Sequence, residues 1–108
     1  MTKRDTLQGA LDLMVLKILC RQEPLHGYAI MTAIEQIGGD VLRVEEGSIY
    51  PALRRMEQAG WLRAEWINRG GRRARVYELT RAGRTQLATA ESQWHAATAA
   101  VKRVLKMA

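Results

Sequence analysis

The sequence predicts a mainly α-helical domain (α+β overall) with one β-hairpin, and three observations carry this prediction. Apolar residues recur with helical spacing in four segments. Between the third and fourth segments the pattern changes to alternation, which is typical of strands. Positive charge is concentrated at the same place, because residues 54–84 contain nine Arg and three Glu, whereas residues 7–46 carry three basic and six acidic side chains.

Residues 6–22 are predicted to form the first helix, which Pro24 follows. Its main apolar stripe consists of Leu7, Leu11, Met14, Val15 and Ile18. Further apolar residues on its other sides are Leu13, Leu16 and Cys20. A helix that is apolar on more than one side usually packs against two neighbours, here its own domain and a second subunit.

The second helix is predicted from His26 to Gly38, with Gly38-Gly39 as its stop. Residues 23–25 precede it as a connector. Residues 40–45 follow as a short connection, with some extended structure expected between Val41 and Val44.

The third helix is predicted between Glu46 and Gln58, the segment around which the chain is organised. Ser48 is predicted as its N-cap, Pro51 within its first turn, and Gly60 as the glycine that follows its end. Its core stripe is Ile49, Leu53 and Met56. A second face carries Tyr50, Arg54 and Gln58, with Arg55 beside them. Such a face can reach phosphates and base edges in a major groove, although a solvated amphipathic helix is the alternative.

A β-hairpin is predicted next, with strands at residues 61–67 and 74–79. Residues 68–73 form the loop between them, in which Arg69, Arg72 and Arg73 stand on flexible glycines. This tip suits a probe of the minor groove or of the backbone, although solubilising charge is the alternative. Trp61 and Trp66 are expected in the core of the hairpin.

Thr80 is predicted to cap a last helix that runs to about Leu105. Its residues Leu87, Trp94 and Val101 recur every seven positions, and several Ala residues between them permit close approach of another helix. Some 24 residues would span about 36 Å, which is longer than this small domain needs. We therefore divide the chain into a DNA-binding domain (1–83) and a dimerisation helix (84–108).

Composition limits the function further. The formal charge of +6 and the isoelectric point near 10.1 indicate a polyanionic partner. The single cysteine, Cys20, excludes an internal disulfide and a zinc-thiolate cluster, and we expect no metal and no cofactor. No segment has the length of a membrane span or the pattern of a signal peptide, so we expect a cytoplasmic protein.

Helix, helix, helix, hairpin and long helix is the order of a winged helix-turn-helix protein with an added dimerisation arm. Three blocks also resemble the PadR family of bacterial transcriptional regulators. They are His26-Gly27-Tyr28-Ala29-Ile30, the stretch from Gly47 to Glu57, and the stretch from Gly71 to Gly83. The resemblance covers nearly the whole chain and, because one helix follows the wing, fits the short subfamily. It implies a homodimeric repressor of a pseudo-palindromic operator, acting at the bacterial nucleoid.

The resemblance also assigns residues. It implies that Ser48, Tyr50 and Arg54 face DNA, that Tyr28 lies near a phosphate, and that Gly71 and Arg72 form the tip of the wing. From the residues alone, Tyr28 can equally be part of the core, and Arg54 can read a guanine or clamp a phosphate.

In some short members of the family, a tryptophan in the last helix lines a pore at the dimer interface that takes flat aromatic ligands. The resemblance thus makes Trp94, with Met14 and Val15, a candidate effector site. Alternatively, Trp94 only packs a dimer seam with Leu11, Leu87 and Val101.

Two other classes of function fit the sequence less well. An enzyme is not predicted, because His26 and His95 stand in no recognisable catalytic spacing. A winged-helix module that binds a protein or an RNA is the second alternative. The arginines of the wing disfavour a pure protein interface, whose centre is usually depleted in charge. RNA recognition typically needs several exposed aromatic side chains, and Tyr50 alone gives only weak support for RNA binding.

Overall fold

The computed structural model describes residues 3–107 of the chain, with side chains from residue 9 onward, so that the predicted stripe residue Leu7 lies outside the described side chains. Four helices and three strands follow one another in the order α1 Lys3–Arg21, β1 Leu25–His26, α2 Gly27–Ile37, α3 Glu46–Gln58, β2 Leu62–Arg69, β3 Arg72–Leu79 and α4 Arg81–Leu105. This is a winged helix-turn-helix, which confirms the predicted mainly α fold. Within residues 3–107, no helix is long and apolar enough to cross a bilayer.

The strands form one antiparallel sheet in the order β1-β3-β2. Strand β1 pairs Leu25 with Tyr77 and His26 with Val76, in a place where the sequence predicted a connector. That prediction was wrong because two residues are too short for an alternating pattern to appear. The pairing ties the start of α2 to the base of the hairpin.

The core fills the space where α1, α2 and α3 meet one face of the sheet. Its fully buried large side chains are Val15, Leu16, Leu19, Ile30, Ile49, Leu53 and Met56. Burying one such side chain contributes about 1.5–3 kcal/mol, so these contacts dominate the stability of the domain.

Helix α2 has a side-chain cap at its start and a glycine stop at its end. The Nδ1 atom of His26 accepts a hydrogen bond from the backbone N–H of Ala29 at 3.1 Å, so His26 is the N-cap and not the first helical residue. At the other end, Gly39 adopts φ +64°, and the N–H groups of Gly39 and Asp40 donate to the carbonyls of Gln36 and Glu35. This is the predicted glycine stop. Residues 41–45 contain no strand.

Helix α3 begins two residues earlier than the predicted cap. The N-cap is Glu45, whose side chain makes no capping bond, and its carbonyl accepts from the N–H groups of Ser48 and Ile49 at 2.9 and 3.0 Å. The predicted capping role of Ser48 is therefore wrong, because the backbone of Glu45 already starts the helix. Pro51 then falls in the second turn, where its ring removes one helical hydrogen bond to Gly47.

The hairpin is longer and its turn is tighter than predicted. Strands β2 and β3 continue to the pair Arg69–Arg72, so only Gly70 and Gly71 form the turn. Their φ angles of +59° and +78° match a two-residue turn of type I′, in which both residues must be left-handed. The predicted flexible loop at 68–73 is thus mostly paired strand, and its arginines stand on a stiff ladder.

The outer half of the hairpin extends beyond the helices that cover its base. Along the face of β2 that turns to the core, Leu62 is buried, Ala64 half-buried and Trp66 55% exposed. The expected place of Trp66 in the core is therefore wrong, because an open cleft separates this part of the sheet from α3. Trp61, at the base, packs against the core as expected.

Helix α4 starts with the predicted cap. The hydroxyl of Thr80 accepts from the N–H of Gly83 at 3.0 Å and donates to the carbonyl of Gly60 at 2.6 Å. Leu87, predicted at the dimer interface, is only 6% exposed and packs in the core of its own chain. The prediction failed because the first two turns of α4 lie against this core, and only later turns leave it.

Candidate nucleic-acid interface

Helix α3 divides its side chains between a buried and an exposed face, as its spacing predicts. The buried face consists of Ile49, Ala52, Leu53 and Met56. The exposed face consists of Ser48, Tyr50, Arg54 and Gln58. Hydroxyl, guanidinium and amide groups in one row can hydrogen-bond both phosphates and base edges.

Tyr50 is positioned by the start of α2. Gly27 is buried, and a Cβ atom added to it would lie 2.6 Å from Cε1 of Tyr50. The ring therefore packs on the bare backbone of Gly27 while Tyr50 stays 41% exposed. Tyr28, the next residue of α2, is 58% exposed and so lies on the surface and not in the core.

Arg55 turns away from this face and towards α1. Its two terminal nitrogens donate to both carboxylate oxygens of Asp12 at 2.7 and 2.8 Å, a fork-to-fork pair. This hydrogen bonding raises the pKa of Arg55 above its ordinary value. The pair joins α3 to α1, and we therefore leave Arg55 out of the proposed DNA contacts.

Within residues 9–107, four arginines of α3 and the hairpin have no acidic partner of their own. Among the side chains of residues 9–107, no carboxylate lies within ion-pair distance of Arg54, Arg69, Arg72 and Arg73. By contrast, Arg63 pairs with Glu78 across the hairpin, and Arg84 pairs with Glu23. The acidic side chains neutralise the base of the wing and leave its tip positive.

Trp66 stands among arginines on the face of the hairpin that looks towards α3. The guanidinium carbon of Arg73 lies 4.5 Å from the centre of the Trp66 ring, and that of Arg75 lies 5.3 Å away. Both distances fall within the range of cation–π attraction. Arg75 also donates to Glu57 of α3 at 2.8 Å, so the ring is connected to the helix.

A cleft of about 590 Å³ separates α3 from this face of the hairpin. Its walls are Tyr50, Arg54, Glu57 and Gln58 from α3 and Trp66, Arg75 and Tyr77 from the sheet. Burial raises the pKa of Tyr77 above its ordinary value. The cleft brings the predicted residues Tyr50 and Arg54 together with Trp66 and Glu57, which no sequence pattern had assigned to the site.

The residues expected at a dimer or effector site do not all lie together. Val15 is fully buried in the core and is closed to any ligand. Met14 and Leu11 line a cleft between α1 and the residues that precede α3, whereas Trp94 lines an apolar groove of about 300 Å³ between α1 and α4. Val101 is 56% exposed on α4. The effector prediction for Val15 is therefore wrong, because this side of α1 faces its own domain.

Helices α2 and α3, the positive wing behind them and the long fourth helix define a winged helix-turn-helix regulator that binds DNA. The profile of the family described as "Transcriptional regulator PadR-like family" matches residues 15–89, more than half of the chain. The chain therefore belongs to the PadR family.

Solved structures agree with this assignment. A PadR family transcriptional regulator from Eggerthella lenta is 33% identical, with a TM-score of 0.82 over 95% of this chain and 88% of that one. A PadR-like transcriptional regulator from Bacillus cereus is 27% identical, with a TM-score of 0.79 over 96% and 99%. A transcriptional regulator from Clostridium thermocellum reaches a TM-score of 0.86 over 94% and 99% at 20% identity, which shows the fold alone.

Proposed function

We propose that this regulator is a homodimeric repressor that binds a pseudo-palindromic operator through the exposed face of α3 and through the wing. The observation that carries the proposal is the set of four arginines for which residues 9–107 offer no carboxylate partner. A guanidinium without an internal partner keeps its full charge for phosphate oxygens or for guanine.

The geometry of the two elements suggests how a duplex would be held. Helix α3 would enter the major groove, with Ser48, Tyr50 and Arg54 facing the base edges. Tyr28, at the start of α2, would contact the flanking phosphate. The tip of the wing, with Arg69 and Arg72 on either side of its turn, would follow the adjoining backbone into the minor groove.

A second copy of the chain would cover the far part of α4. Trp94, Val101, Val104 and Leu105 are all between 44% and 78% exposed, which is an unusual amount of apolar surface for so small a protein. Pairing of two protomers along α1 and α4 would bury it and set the two α3 helices about 34 Å apart, one turn of DNA. Light scattering that gives the mass of a monomer at the concentrations that bind DNA would contradict this pairing.

The groove beside Trp94 supports an effector of small, planar and aromatic type. It is lined mainly by apolar atoms of α1 and α4, so a ligand there would touch the helices that carry the dimer. Such a ligand would change the separation of the two α3 helices and thereby release the operator. We place this action at the nucleoid in the bacterial cytoplasm.

Replacement of Arg54 by Ala tests the proposed contact. If Arg54 reads a guanine, the variant should lose about 1–3 kcal/mol of binding free energy on the operator and lose its preference at one base pair. The matched control is Arg81→Ala, since Arg81 is also exposed but begins α4 away from the site. The assay is fluorescence anisotropy with the operator found by footprinting on the protein's own promoter.

Three outcomes would contradict parts of this proposal. An equal loss on every DNA sequence would make Arg54 a phosphate clamp instead of a base reader. An equal loss of affinity in Arg81→Ala would show that the effect comes from the lower net charge of the protein and not from a contact of Arg54. A wild-type protein that binds single-stranded RNA or a protein partner better than duplex DNA would refute the proposed function.

A further inference from the structure

Four side chains form an unbroken chain of contacts from α3 to the outer hairpin. Glu57 of α3 accepts a hydrogen bond from Arg75 at 2.8 Å. Arg75 lies 5.3 Å from the centre of the Trp66 ring, and Arg73 lies 4.5 Å from the same ring. Because Trp66 pairs with Arg75 in the ladder and Arg73 is its diagonal neighbour, the three hairpin residues share one face.

The two arginines on this ring are not equivalent. Side chains of Arg75 and Glu57 are only 33% and 32% exposed, so their ion pair is partly shielded from water. Arg73 is exposed and has no carboxylate within ion-pair distance among residues 9–107. The guanidinium of Arg75 is therefore paired with a carboxylate of the same chain, whereas the guanidinium of Arg73 remains exposed on the surface.

The pair also changes what the cleft offers to a polyanion. Glu57 is the acidic group among the residues that line the cleft, and it stands one turn beyond Arg54 on α3. A bare carboxylate there would repel any phosphate that lies between α3 and the wing. Arg75 offsets this charge, and the same contact links the wing to α3.

We propose that Glu57, Arg75 and Trp66 form a brace that sets the position of the wing relative to α3 and holds Arg73 towards the DNA backbone. Arg75 and Trp66 are positioning residues in this arrangement, and Arg73 is the cation that touches phosphate. The inference rests on the proposed function, in which α3 and the wing grip the same duplex.

The test is a pair of variants, Arg75→Gln and the double variant Glu57→Gln/Arg75→Gln. The single variant leaves the carboxylate uncompensated and should weaken operator binding about tenfold. The double variant restores the net charge and allows two amides to hydrogen-bond, so affinity should return to within about threefold of the wild type. The matched control is Arg63→Gln, since the Arg63–Glu78 pair lies on the opposite face of the same hairpin. It should change affinity less than about threefold.

A direct phosphate contact by Arg75 predicts the opposite result. The double variant would then bind as weakly as Arg75→Gln, and the slope of log K against log salt would fall by about 0.9 for each lost contact. That outcome would overturn the brace. With the brace, the slope of the double variant equals that of the wild type.

A second measurement needs no DNA. Hydrogen exchange of the backbone amides of residues 66–69 and 72–75 should be faster in Arg75→Gln and in Trp66→Leu than in the wild type, and Trp66→Phe, which keeps a ring, should exchange nearly as the wild type does. Unchanged exchange in both Arg75→Gln and Trp66→Leu would overturn the brace. A wild-type protein that does not bind DNA would refute the proposed function instead, while exchange would still decide whether the brace exists.

Discussion

Replacement of Gly27 by Ala should disable the site through Tyr50 without removing any group that could touch DNA. The added Cβ atom would lie 2.6 Å from Cε1 of Tyr50 and 3.2 Å from Cδ1 of Leu53. Carbon atoms in contact stand about 3.5–4.0 Å apart, so the tyrosine ring must move by roughly 1 Å. Because Leu53 is fully buried beneath it, the ring can only move outward, away from α2.

The size of the effect follows from these contacts. Overpacking of this kind costs about 1–3 kcal/mol, and Ala at a helix start recovers about 0.4–1 kcal/mol through the unfolded chain. We therefore expect a net loss of about 1–2 kcal/mol, which lowers the Tm of a domain of this size by roughly 4–16 °C. A displaced Tyr50 should weaken operator binding by about 1–3 kcal/mol in addition.

The assay is a double-mutant cycle in DNA affinity between Gly27→Ala and Tyr50→Ala. If Gly27 acts by placing the ring, the double variant should bind as Tyr50→Ala does, since the contact is already lost. Gly9→Ala is the matched control, because Gly9 is helical and nothing lies within 4 Å of its added Cβ atom. Additive losses in the cycle, or wild-type affinity in Gly27→Ala, would refute the reasoning.

Two further predictions concern α4. Gly83→Ala should lower the free energy of unfolding by about 2–4 kcal/mol, because the new Cβ atom would lie 2.1 Å from the carbonyl oxygen of Trp61, a backbone atom that cannot step aside. Thermal unfolding measures this loss. A planar aromatic compound that occupies the groove between α1 and α4 should quench the fluorescence of Trp94, because the groove is lined by this ring.

Each of these predictions has its own control. Gly47→Ala should raise stability by up to about 1 kcal/mol, because Gly47 is helical and no atom lies within 4 Å of the added Cβ atom. Equal stability of the Gly83 and Gly47 variants would show that the first turn of α4 yields to the clash. For the groove, which Trp61 also lines, Trp94→Phe should remove the part of the quenching that comes from Trp94. Quenching that is unchanged in this variant would place the ligand away from Trp94.

Short-range sequence patterns, such as helical spacing and caps, predicted many features of this fold. The spacing of Ile49, Leu53 and Met56 identified the buried face of α3 and, by exclusion, the exposed one. Thr80 correctly predicted the start of α4, and glycines correctly predicted the ends of α2 and α3. Such signals act within one or two helical turns, so they can be read without knowing which parts of the chain later meet.

Other features depend on contacts between residues that are distant in sequence. Arg55 looks like a DNA contact by its position on α3, but its partner Asp12 stands 43 residues earlier. Leu87 shares a seven-residue spacing with Trp94, yet packing of the first turns of α4 buries it in the core of its own chain. The brace could not be predicted either. Its residues are brought together by the register of the hairpin, and the turn that sets this register was predicted four residues too long.

The amino-acid order alone determined the succession of helices and strands, the polar face of α3, the basic character of the wing and the membership of the PadR family. Only the tertiary structure decided which arginines pair with carboxylates of the same chain and which remain exposed. The physical reason is the range of the interactions. Periodicity and capping link neighbours a few residues apart, whereas an ion pair such as Glu57–Arg75 exists only after packing has brought a helix and a strand within 2.8 Å.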